Sequence, residues 1–279
     1  MNTLEIPHTK KRYYLPSSLA ECDGRQYSEM AHLLFKLDAG QLDYSTFRVH
    51  ALYALLNMKP VVNKDKEVQD QKAANIYQLS HLVDDFFEDM DGTPVLRQYY
   101  TNNHNPLISL FGKKYQGPKD NFDNVAFGQY VDGLNFFQEY TNTKEPEFLY
   151  LLMATFYVKK KQSVEKLAEA LKNYDFGTVY GFYLFFASFQ KYLVSSKIYY
   201  NAKELDLSVL FDADGATDTT SDLPGLGLKS TMYTLAESGV FGSLKQVRKE
   251  NLWEVMLRMY DIVKRDKDYL ARQKKLENN

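Results

Sequence analysis

The chain has 279 residues, enough for one large domain or two small ones with a sizeable core. It is 44% hydrophobic and 25% charged with a formal net charge of -2, so no global electrostatic pull toward DNA or an anionic membrane surface is expected. A single cysteine, Cys22, excludes an intrachain disulfide and fits a reducing compartment, or a particle assembled in one.

The opening residues, MNTLEIPHTKKRYYLPSS, lack an apolar segment behind a basic start and are not expected to act as a secretory signal. Apolar residues then recur at three-to-four spacing, and sustained period-two alternation is rare, which predicts an all-α protein. Asp23, with Gln26 three residues on, has the pattern of a capping box for a first helix. Tyr27, Met30, Ala31, Leu34 and Phe35 line its apolar face, and Gly40 stops it. The spacing predicts a second helix from about Tyr44 to Met58, ended by Pro60, and a third over about Lys66 to Asp89.

Residues 91–124 are dense in Gly, Pro and Asn and read as a long connection with a short extended piece; so long an irregular segment is often functional. Helices are predicted again at about Val125 to Tyr140 and Glu147 to Val158. Ser163 caps a short one, and Asp175 caps one running to about Tyr199. FDADGATDTTSDLPGLG, 211–227, reads as an acidic mobile linker. A short helix in STMYTLAESG and a final one from about Lys249 follow. The expected organisation is an irregular multi-helix bundle with long loops over 13–204, a linker over 205–228, and a C-terminal helical segment over 229–279 packing on the bundle.

The chain holds 22 Tyr and 18 Phe, and they crowd into DFGTVYGFYLFFASFQKYLVSS, Asp175 to Ser196. Its uncharged run of about 14 residues is shorter than the roughly 20 needed to span a bilayer, so no membrane partner is expected. A helix apolar nearly all round belongs in a core, and Gly177 and Gly181 allow a neighbouring helix to approach closely.

LVDDFFEDMD holds Asp84, Asp85 and Glu88 at DDxxE spacing. On one helix, residues 84 and 88 share a face, and carboxylates so placed can hold Mg²⁺ on a diphosphate, as in all-helical isoprenoid synthases. The second metal-binding segment such enzymes need is missing, and a solvated acidic face is the simpler reading. EMAH, Glu29 to His32, has the Glu-x-x-His spacing of di-iron bundles but no second copy. GLGLKST, Gly225 to Thr231, has Leu228 where a phosphate-binding loop needs Gly before Lys. DADGATD has Thr217 and Leu223 where a calcium loop needs Gly and Glu. KKR at Lys10 to Arg12 and KKK at Lys159 to Lys161 are short and isolated, so no nucleic-acid partner is expected. No cofactor and no catalytic residue follow from these patterns.

Three stretches together resemble phage and prophage morphogenesis proteins of Bacteroidota, from the tail-assembly region. YLPSSLAECDGRQYSEMAHLLF is similar to their Pro-x-Ser-Trp-x-Glu-Leu opening, with Pro16, Ser18 and Glu21 in place but Leu19 where they have Trp. YQGPKDNFDNVAFGQYVDGLNFFQEYTNTKEPEFLYLLMATFY resembles their Gly-Pro turn feeding two aromatic helices. TLAESGVFGSLKQVRKENLWEVMLRMYD resembles their C-terminal end through Ala236, Glu237, Gly239, Phe241, Gly242 and the Leu252-Trp253 helix. The resemblance implies a non-catalytic virion-associated or tail-assembly protein. Other phage virion or tail proteins, or further copies of itself, would be its partners, in the host cytoplasm or the virion. Phe241 and Trp253 are the candidate partner-binding residues; pinning the last helix to the core is their plainer role.

Overall fold

The computed structural model describes residues 1–6, 11–59, 61, 64–195, 197–200, 203–210 and 228–277. The acidic segment 211–227, with its linker and calcium-loop readings, lies outside them, as do Pro60 and the start of GLGLKST. The described chain is mostly helical, with short two-stranded antiparallel sheets. The helical character expected of the chain is seen, and the short sheets are what the expectation of an all-α chain left out.

The first hairpin pairs β1 (Asn2–Ile6) with β2 (Lys11–Leu15). Helix α1 (Gly24–Asp38) starts at the predicted capping box: the Asp23 carboxylate accepts from the Gln26 amide at 2.7 Å, and the Gln26 side chain accepts from the Asp23 amide at 3.0 Å. Helix α2 (Tyr44–Leu55) is capped by Asp43, which accepts from the Thr46 amide. Helix α3 (Lys66–Ser80) ends earlier than its apolar spacing predicts. The chain tightens into a 3-10 turn over His81–Phe86, which buries Val83 and Phe86 three apart, and then enters β3 (Phe87–Met90). Asp91 and Gly92 supply the two left-handed residues of a tight turn into β4 (Thr93–Leu96).

A second hairpin in the same connection pairs β5 (Leu107–Leu110) with β6 (Lys113–Gln116). Helices α4 (Phe127–Thr143), α5 (Glu147–Tyr157), α6 (Val164–Leu171) and α7 (Phe176–Ser195) follow. Hairpin β7 (Lys197–Tyr200) and β8 (Lys203–Asp206) comes next, then α8 (Leu228–Glu237), the single turn α9 (Leu244–Val247) and α10 (Leu252–Glu277).

The aromatic stretch is α7, and it is buried on nearly every side. Its two glycines face α1. A side chain at Gly177 would run into the Ser28 carbonyl, and one at Gly181 into the Tyr27 ring. Tyr27 seals this contact by donating to the Gly181 carbonyl at 2.8 Å, so Tyr100 must donate in the 2.7 Å bond between the two phenols. Farther along, Phe122 is stacked between Phe185 at 4.7 Å and Phe189 at 4.4 Å. Ser188 exchanges hydrogen bonds with both backbone groups of Tyr100, which ties the 91–124 connection to the core. No helix of the described residues is long and apolar enough to cross a membrane.

Candidate functional site

The acidic segment does not form one helical face. Asp84 and Asp85 sit in the 3-10 turn and Glu88 in β3, because the helix that would align them ends at Ser80. Each carboxylate has its own partner. Asp84 accepts from the Tyr44 hydroxyl at 2.8 Å and from Arg48 at 3.0 Å. Asp85 accepts from Asn2 at 2.7 Å, and Glu88 from the Tyr99 hydroxyl at 2.7 Å, with Lys191 at 3.6 Å. Asp84 and Glu88 share a cleft of about 290 Å³ with Asp89, while Asp85 is absent from its lining. Among the described residues, no three His, Cys, Asp or Glu side chains form a group able to hold a metal ion.

Arg48 explains why this corner is ordered. It is nearly buried, and its guanidinium lies 5.4 Å from the Tyr44 ring centroid and 5.9 Å from that of Tyr77. Its NH1 also lies 2.7 Å from His81 Nδ1. Arginine has no acceptor, so that nitrogen of His81 accepts. Burial and the bond to Asp84 push the Tyr44 hydroxyl well above its ordinary pKa. The arrangement is a structural ion pair with aromatic walls.

A larger cleft of about 570 Å³ opens beside α1 and α2, lined by Arg25, Ser28, Glu29, His32, His50 and Asp175 among others. Glu29 and His32 of the Glu-x-x-His pattern both reach it. Glu29 is neutralised by Arg25 at 2.7 Å. Burial, helped by Lys36, holds the His32 ring below the ordinary imidazole value. The Ser28 hydroxyl shares a bond with Thr178 at 2.9 Å and accepts from Asn105 at 3.3 Å. A serine held this way has no base among those partners to activate it.

Trp253, on the first turn of α10, is half-buried. Its Nε1 donates to the Asn121 carbonyl at 2.9 Å, and its ring meets Phe189 edge-on at 5.9 Å. Phe241 is half-buried against the core, between the left-handed Gly239 and Gly242. The two rings sit in these contacts with part of their surface still exposed.

The residue that sequence patterning missed is Phe111. It occupies the first central position of the β5–β6 turn with φ 48°, followed by Gly112 with φ 72°. A bulky residue rarely adopts a left-handed backbone, and holding one there costs about 1–3 kcal/mol. Its side chain gains no burial in return: Phe111 is 75% exposed. The signal was the X-Gly pair between ISL and KKYQ, which fits a two-residue hairpin turn.

The chain matches no protein-family model, no curated protein and no solved structure.

Proposed function

We propose that the chain is a phage or prophage-derived assembly or structural protein, associated with virion or tail assembly. It acts by protein–protein contact and without catalysis, in the host cytoplasm or in the particle. The phage assignment rests on the three resembling stretches. The observation that carries the contact mode is Phe111, a large aromatic displayed at the tip of a tight hairpin in an unfavourable backbone conformation. Aromatic anchors dominate binding energy when a partner pocket desolvates them. A hairpin tip presents such an anchor with little conformational entropy left to lose. The irregular helical bundle is then the rigid platform behind the hairpin, and Phe241 and Trp253 offer secondary contact area.

The test is affinity capture of the tagged protein from its own host, wild type beside Phe111→Ser, with bound proteins identified by mass spectrometry. Virion or tail proteins should be recovered with the wild type and strongly depleted with the variant, at an unchanged melting temperature. Recovery of no virion protein with the wild type would remove the proposal's basis.

A further inference from the structure

The structure gathers lysines that the sequence keeps apart. Lys113 from β6, Lys159, Lys160 and Lys161 from the α5–α6 loop, and Lys166 from α6 line one depression of about 510 Å³. All five side chains are exposed, and no acidic side chain is among the lining residues. Among the described residues none of the five is in an ion pair. The nearest acidic neighbour in sequence, Glu165, is bonded to the Ser163 hydroxyl and lines a separate cleft.

This concentration is unusual for a chain with 34 basic and 36 acidic residues. Like charges crowded together repel, and a bound anion relieves that repulsion. The lysines are also partly placed. The Lys159 ammonium lies 4.6 Å from the Tyr115 ring centroid, and Tyr115 is buried, with its hydroxyl accepting from Gln162 at 3.4 Å. Lys161 holds a left-handed backbone, φ 70°, which turns the loop back on itself. Ser163 caps α6 at the same depression, so the positive end of that helix adds to the potential.

We infer that this depression binds a compact polyanion, a di- or triphosphate group. Lysine serves phosphate as a mobile point charge, and several such charges around one concavity match several phosphate charges on one small ligand. A nucleic-acid strand spreads its charges along a track, whereas these five line a single depression. The Tyr115 ring is buried under Lys159 and unavailable for base stacking, so the phosphate chain rather than a base is recognised.

The experiment is calorimetric titration of the full chain with inorganic tripolyphosphate at low salt, with orthophosphate and a short single-stranded DNA as comparators. Wild type should show one saturable site per chain, weakening as salt rises. The double variant Lys160→Gln/Lys161→Gln should lose about a hundredfold in affinity, tenfold per charge removed. The equally charged control Lys274→Gln/Lys275→Gln, on α10, should bind like wild type. Absence of saturable binding would overturn the inference. So would equal losses in the two double variants, or tighter binding of the DNA than of tripolyphosphate.

Discussion

Gly177→Ala tests the α1–α7 contact, because two effects of opposite sign meet there. Inside a helix, alanine is favoured over glycine by about 0.5–1 kcal/mol, and less near an end. Gly177 is the second residue of α7, so the gain is at the low end. Against it stands the neighbour. The added methyl would meet the Ser28 carbonyl oxygen and carbon and the His32 Cβ. Backbone cannot rotate away as a side-chain tip can, so the helices must separate. Forced overpacking of this kind costs about 1–3 kcal/mol. Separation also stretches the 2.9 Å Ser28–Thr178 bond, about 0.5–1.5 kcal/mol more. The net expectation is a loss of about 1–4 kcal/mol, read as a lower urea midpoint at unchanged slope. An equal or higher midpoint would refute the claim that the backbones are in contact at this glycine.

Asp84→Asn should cost about 1–2 kcal/mol by removing the counter-charge of nearly buried Arg48, the half-exposed carboxylate moderating the loss. Any rise in melting temperature that Mg²⁺ and diphosphate give the wild type should persist in this variant, since the lysine depression does not include Asp84; a rise abolished in it would revive the isoprenoid-diphosphate reading. The Ser45 and Thr46 hydroxyls and the Thr46 amide hold the Asp43 carboxyl below the usual carboxylate range. Its cap on α2 should therefore be intact above the ordinary aspartate pKa and lost as pH falls toward the lowered value. A carboxyl NMR titration at the ordinary aspartate pKa would contradict this. Burial pushes the Cys22 thiol up to about 12, so an alkylating reagent should leave it untouched near neutral pH until denaturant is added.

Helix starts were legible because their caps are local chemistry. Asp23 with Gln26, Ser163, and Asp175 accepting from the Thr178 amide all sit where side-chain spacing places them. The end of α3 was not legible. Leu82, Val83, Phe86 and Phe87 fit a continuing helical stripe as well as they fit a 3-10 turn leading into a strand. The Asp91-Gly92 pair decides between them, and it lay in a stretch whose Gly and Pro content masked it. Strands of four or five residues with mixed exposure carry too little alternation to register. The lysine depression was invisible for a different reason. Lys113 joins Lys159 to Lys161 only through the packing of a hairpin against a distant loop.

The start of α4 has an order in time built into it. Ala126 offers no side chain to cap this helix, and its first amides are satisfied from far down the chain. Phe127 N–H donates to the Glu250 carbonyl and Gly128 N–H to the Arg248 carbonyl, while Leu252 N–H returns a bond to Val125. On the ribosome, α4 is made well before those carbonyls exist. Its leading turn must wait, hydrated, until residues 248–252 have been synthesised and have cleared the exit tunnel. Vectorial folding therefore leaves the first turn of α4 open, and this part of the core is completed only once the 248–252 segment has joined it.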